Sequence, residues 1–303
     1  MPAVPSATPE EIKDANVRYH DAAAAAYDAK WGIDLGEVGQ AQVRAKLAKA
    51  LGGLPPRPFG DALEIGAGTG YFTLNLLQAG LIERATATDI SAGMLAALAD
   101  SADELGETVR AVRTEAEELP FADSSFDLVF GHAVLHHIPD LGRAFGEFAR
   151  VLRPGGVVAF CGEPSRYGDR LATVPKWLGS ALAPAWRRAV GASSANGTPR
   201  ADDDHELESE VDVHAFDPSG LLELVAFAGL GEARVRGEEL VANAFGWVCR
   251  SLEASAEPDQ VPMRWRVFAF RSYPALQRLD ATLLEPHLPA GLFYNLVLSA
   301  RKL

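Results

Sequence analysis

Short apolar runs and stretches of helical period alternate along the middle of this chain. Apolar, strand-length runs cover Asp61–Gly66, Arg84–Ile90, Val109–Glu115, Ser125–Ala133 and Gly156–Glu163, bounded by turn-forming residues as strands are. Between them, Tyr71–Ala79, Ser91–Ser101 and Leu141–Leu152 read as helices. The last places Leu141, Phe145, Phe148 and Leu152 on one face, a stripe suited to packing against a sheet. Strands and helices alternating at this pace predict βαβ units and a parallel, doubly wound α/β sheet.

The flanks are less regular. Residues 1–10 are rich in Pro and Ala and are expected to be a disordered tail; residues 11–303 are expected to form one domain, with its core at 61–163. Glu11 to about Leu51 reads as helical, ended by Gly52-Gly53 and the prolines 55, 56 and 58. After Pro164 the alternation stops. An insertion at about 164–210 holds two apolar helical fragments, around Trp177 and Trp186. A helix at Pro218–Ala228 and a strand at Glu232–Leu240 follow, then an aromatic-rich insertion at about 243–290 and a final strand, Phe293–Lys302. Both insertions are expected at the edge of the sheet as a lid or cap, where Trp177, Trp186, Trp247, Trp265 and Phe268 either line an apolar pocket or pack a core or dimer contact.

Composition narrows the function. The 303 residues carry 41 acids against 28 Lys and Arg, a net charge of −13. No basic patch is visible, which argues against a nucleic-acid partner. No apolar run approaches the roughly 20 residues of a membrane span, and no secretory leader is apparent. The expectation is a cytoplasmic enzyme acting on a small molecule, its oligomeric state open and a homodimer among the options. Cys161 and Cys249 lie far apart and outside any metal-binding spacing.

The string LEIGAGTGYFT, Leu63 to Thr73, is a strand entering a glycine-rich turn and then a helix. Gly66, Gly68 and Gly70 permit positive φ and close approach of a ligand, and the helix directs free N–H groups at it. The dinucleotide pattern G-x-G-x-x-G fails at Tyr71. Glu64 would repel a pyrophosphate and suits an ammonium group. Asp89 ends the strand ATATDI and has two readings: acceptor for both hydroxyls of a ribose, or cap of the helix beginning at Ser91. Glu115 and Ala116 would lie at the sheet edge, where a carboxylate and a backbone N–H can meet an adenine; Glu117 and Glu118 are expected to be solvated.

LEIGAGTG, the acid of ATDIS, EAEELPF, SFDLVF, LHHIPD and RVLRPGG occur here in order over about residues 61–163. This series resembles the class I S-adenosylmethionine-dependent methyltransferases of the "type 11" small-molecule group. The resemblance implies a Rossmann-like, seven-stranded sheet with an antiparallel last strand, and S-adenosylmethionine as cofactor. It implies cofactor contacts from Glu64, Gly66, Ala67, Gly68, Gly70, Asp89, Ile90, Glu115, Ala116 and His132, with Tyr19 and Tyr27 covering it from the amino-terminal helical region.

Methyl transfer from a sulfonium is an in-line displacement, so the protein mainly aligns the partners and excludes water; an oxygen nucleophile also needs a base. The candidates are His132, His136 and Glu163. His136 and its neighbour His137 are either structural or pocket-lining, and Glu163 and Tyr167, beyond the fifth strand, either face the substrate or serve as a cap and a packed ring. His205 and His214 are further candidates from a lid. No metal is expected. The leading expectation is methyl transfer to a small organic acceptor in secondary metabolism; the alternatives are a protein or nucleic-acid methyltransferase and a non-catalytic binding module.

Overall fold

The computed structural model describes residues 8–24, 27–28, 32–195 and 213–303. A mixed seven-stranded sheet forms its centre, in the order β3-β2-β1-β4-β5-β7-β6. The strands are β1 (Phe59–Ile65), β2 (Ile82–Asp89), β3 (Val109–Arg113), β4 (Phe126–His132), β5 (Leu152–Pro164), β6 (Leu230–Glu238) and β7 (Asn295–Lys302). β1 to β5 pair in parallel, while β7 runs antiparallel to both β5 and β6. The order turns back at β1, between β2 and β4. The carboxyl ends of β1 to β6 therefore share one edge, the side on which open α/β sheets hold ligands.

The helices are α1 (Pro9–Ala23), α2 (Glu37–Leu51), α3 (Tyr71–Gln78), α4 (Ala92–Leu105), α5 (Leu141–Val151), α6 (Arg166–Val190), α7 (Pro218–Phe227), α8 (Val241–Ala254) and α9 (Met263–Leu279). The α5 stripe is fully buried, with Phe145 and Phe148 against Phe160 of β5. A second core on the other face joins Val43 and Leu47 of α2 to Phe72, Leu76 and Phe130. Two layers of helix on one sheet close a core that neither face could bury alone.

Three expectations change. Pro9 and Glu10 open α1 behind a capping box, in which Thr8 and Glu11 bond reciprocally. The fragments around Trp177 and Trp186 are one 25-residue helix, α6, which carries Pro175 and Pro184 inside it. The second insertion is built mainly of two helices, α8 and α9, with α8 packed between α6 and α9.

Candidate functional site

The three glycines of the turn after β1 all take positive φ, 62° at Gly66, 53° at Gly68 and 96° at Gly70, but for different reasons. A Cβ on Gly66 would lie 2.2 Å from Val134 Cγ2, and one on Gly70 2.9 Å from Leu74 Cδ1; one on Gly68 would meet nothing within 4 Å. Gly66 and Gly70 let the turn pack, and Gly68 faces open space. The N–H groups of Ala67 and Gly70 donate to Thr88 and Ala67 carbonyls. They brace the turn rather than point at a ligand as expected.

Asp89 is held at the tip of β2. One carboxylate oxygen accepts from Gly68 N at 2.9 Å and the other from Ser91 N at 2.9 Å. The cap of α4 is Ser91 itself, whose hydroxyl accepts from Met94 N at 3.0 Å. Asp89 is therefore free of that duty and oriented beside the open glycine; burial raises its pKa. Ile90 follows it, its carbonyl taken by Arg113 Nε.

Glu64 is buried, and one of its oxygens accepts from both the backbone N–H and the hydroxyl of Thr73. It thus closes the first turn of α3. Burial pushes its carboxyl up to about 8, against the pull of the two Thr73 bonds.

Beyond β3 the acids are redistributed. The strand ends at Arg113, so the turn places Glu117 inside and Glu115 outside. Glu117 is buried, contrary to the expected solvated position, and both acids pair with Lys13 of α1, Glu115 at 2.5 Å and Glu117 at 3.2 Å. Ala116 packs against the core beneath them. Glu118 is exposed.

α1 lies over this edge. Asp21 accepts from the Ser91 hydroxyl at 2.5 Å and from Gly93 N at 2.9 Å, a carboxylate at the amino end of α4 where the helix dipole favours one. Asp28 accepts from the Thr69 hydroxyl at 2.6 Å. Tyr19 is buried, its ring edge-on to His20 with centroids 5.0 Å apart; His20 in turn meets Tyr27 at 6.3 Å and His137 at 5.6 Å.

The β4–β5 side holds the histidines. His132 stacks on Phe72 at 4.9 Å and meets Tyr71 edge-on at 5.7 Å. Burial, with the nearby Lys46 charge, lowers its pKa to about 3, so the imidazole stays neutral. Glu163, expected to face a substrate or serve as a cap, has no exposed surface. Its oxygens accept from Val134, Leu135 and His136 N–H at 2.9, 3.0 and 3.2 Å, and meet His136 Nδ1 at 2.9 Å. It clamps the turn after β4 and orients His136. His214 N and Val213 N donate to the His136 carbonyl, and His214 Nε2 lies 3.1 Å from Ile138 O; His205 falls outside the described residues. Tyr167 is exposed.

One group at this edge went unnoticed in the sequence. Lys46 of α2 pairs with Glu238 at 2.5 Å, and Lys49 with Glu238 at 3.1 Å and Glu285 at 2.9 Å. Next to them, Glu239 (φ 64°) accepts from Tyr273 OH at 2.9 Å and Gln277 Nε2 at 2.8 Å. Tyr273 OH also lies 3.2 Å from Asn243 Oδ1, whose Nδ2 is buried without a partner. Two signals pointed there: paired acids at a strand's carboxyl end, and lysines three apart on α2. The aromatic residues of the two insertions divide: Trp186, Trp265 and Phe268 pack together, ring to ring at 5.1 and 5.6 Å, and Trp247 sits under Lys176 and Arg250. Trp177 lines no interior space; it is 69% exposed.

Part of the chain matches known proteins. Residues 63–160 match the family described as "Methyltransferase domain". Malonyl-(acyl-carrier protein) O-methyltransferase of Methylococcus capsulatus is 37% identical over 52% of this chain and 52% of its own length. The 27-O-demethylrifamycin SV methyltransferase of Amycolatopsis mediterranei is 33% identical over 50% of this chain and 58% of its own. Phosphoethanolamine N-methyltransferase 2 of Haemonchus contortus, solved with S-adenosyl-L-methionine, shares the fold: TM-score 0.59 at 17% identity, over 96% of this chain and 60% of that one. The chain spans about half the length of the first of these curated relatives.

The fold is a doubly wound α/β sheet, and the family match falls on its first five strands. Over residues 63–160 the chain is similar to the class I S-adenosylmethionine-dependent methyltransferases. The residues at this edge are compatible with that cofactor: Gly68 faces open space, the Asp89 carboxylate stands beside it, and Glu64 is a buried acid next to the turn.

Proposed function

We propose that this chain transfers a methyl group from S-adenosylmethionine to a small organic acceptor, in a pocket covered by α1 and by the cap of α6, α8 and α9. The observation that carries the reading is the pairing of Asp89, fixed by Gly68 N and Ser91 N, with the open face of Gly68. Asp89 accepts the ribose hydroxyls, and Glu64 balances the cationic tail. Gly66, Ala67, Gly68, Gly70 and Ile90 form the floor, Glu115 and Ala116 the adenine edge, and Tyr19 and Tyr27 the cover. His132, neutral and packed on Phe72, forms an uncharged wall beside the sulfonium.

The bound cofactor supplies an electrophilic methyl, so the protein's share is alignment, exclusion of water and the removal of one proton. With Nδ1 turned to the Glu163 carboxylate, His136 presents Nε2 as its basic nitrogen, the arrangement that orients a general base. His136 is the base and Glu163 its positioning residue. Relatives named for methylation at oxygen support an acceptor whose nucleophile loses a proton.

The test uses the methyl-labelled cofactor with extract fractions sorted by size. Label is expected in a small-molecule fraction, and His136→Gln is expected to slow its appearance about 100-fold or more with little change in cofactor affinity. Label appearing only in protein or nucleic acid, or in no fraction, contradicts the reading.

A further inference from the structure

The cap carries a surface that methyl transfer does not use. α6 buries a narrow stripe of small residues, Gly168, Ala172, Gly179 and Ala183, against its neighbours. Turned about a third of a revolution away, Tyr167, Leu171, Val174, Leu178 and Leu182 recur at helical spacing, and all are exposed. The stripe is about 22 Å long. α9 has no fully buried residue, and its outward side presents Met263, Val267 and Phe270. Between the two ridges runs a trough floored by α8 and lined by Val174, Leu178, Val241, Phe245, Val248 and Leu276. Monomeric proteins seldom leave a contiguous apolar surface of this kind without a partner.

Charge identifies the partner. In a chain of net charge −13, α6 carries Arg166, Arg170, Lys176, Arg187 and Arg188 against the single acid Asp169, and α9 carries Arg264, Arg266, Arg271 and Arg278 with no acid. Among the described residues, Arg170, Arg188, Arg264, Arg271 and Arg278 form no ion pair. The most exposed large side chains here are Met263 at 72%, Trp177 at 69% and Phe270 at 67%. Apolar tips ringed by arginine are the anatomy of helices that lie in a membrane interface. A second copy of the same face would set arginine against arginine. No helix among the described residues is long and apolar enough to cross a membrane, so the contact is superficial.

We infer that the outer faces of α6 and α9 dock this protein on an anionic lipid bilayer, with Trp177, Met263 and Phe270 entering the headgroup layer and the arginines contacting acidic headgroups. The inference stands apart from the identity of the methyl acceptor.

Co-sedimentation with vesicles tests it, comparing phosphatidylcholine alone with an equal mixture of phosphatidylcholine and phosphatidylglycerol. Binding is expected only to the mixed vesicles and is expected to weaken as salt shortens the screening length. Each neutralised arginine should cost about five-fold, so Arg170→Gln with Arg271→Gln should cost about 25-fold. Thermal unfolding of that variant should match the parent, because both side chains are exposed. A blue shift of tryptophan emission on binding should vanish in Trp177→Phe while sedimentation persists. Four outcomes overturn the inference: no binding to the mixed vesicles, binding indifferent to the arginine substitutions, a dimer in size-exclusion chromatography that Trp177→Ala with Phe270→Ala dissolves, or retention of a small acidic carrier protein when vesicles are ignored.

Discussion

Glu64 shows how much one buried carboxylate can report. Its pKa is raised to about 8 from an ordinary 4.5, so its protonated form is the one the ligand-free fold favours. Its contribution to stability is full below about 4.5 and is lost as pH rises through 8. A cationic cofactor tail beside it favours the ionised form, so binding near pH 7 should release a proton. Calorimetry in two buffers of different ionisation enthalpy should detect that proton, and Glu64→Gln should abolish it. The glycines separate stability from binding in the same way. Gly66→Ala drives a methyl into Val134 at a positive φ and should cost about 2–4 kcal/mol in urea unfolding. Gly68→Ala pays only the left-handed penalty, about 1–2 kcal/mol, and should lose affinity instead. The sequence showed three equivalent glycines and an acid at a strand end. That Gly68 alone is open depends on where Val134, Leu74 and Leu98 fall, which spacing does not encode.

At the scale of elements, the turn after β4 is held by Glu163 from β5, twenty-seven or more residues away in sequence. Glu163→Gln leaves buried N–H groups poorly matched and should cost about 1–3 kcal/mol, with kcat falling through the loss of His136 orientation while KM for the cofactor stays close to the parent. The link between α2 and β6 is a second such element. Glu238→Ala strands Lys46 and Lys49, which are mostly buried, and a stability loss of about 3–5 kcal/mol is expected in denaturant titration. The strands of the sheet were legible, because buried parallel strands leave continuous apolar runs. The inward register at 115–118 was not: β3 ends two residues before the apolar pattern does, and Glu117 turns inside to meet Lys13. α6 was read in pieces because Pro175 and Pro184 ordinarily interrupt a helix, yet packing against α8 carries it through both.

At the scale of the molecule, the sheet brings the carboxyl ends of six strands to one edge, and α1 lies over part of it. The doubly wound order and the reversed last strand followed from the motif series, since strand alternation and the closing apolar run are local features. A net charge of −13 conceals that α6 and α9 carry nine Arg and Lys against one acid, Asp169. The contacts of α1 were equally non-local. Asp21 reaches Ser91 and Gly93 across seventy residues of chain, and Asp21→Ala should speed cofactor release several-fold in stopped-flow measurements while barely moving the melting temperature, since the carboxylate is exposed at the surface.

The centre of the proposed site is Asp89 beside the open Gly68. Titration calorimetry of S-adenosylhomocysteine into the protein and into Asp89→Ala is the most direct measure of the account. Saturable binding is predicted, weakened about 100-fold in the variant through loss of two charge-assisted hydrogen bonds to the ribose. Absence of binding, or an affinity that Asp89→Ala leaves unchanged, would contradict it.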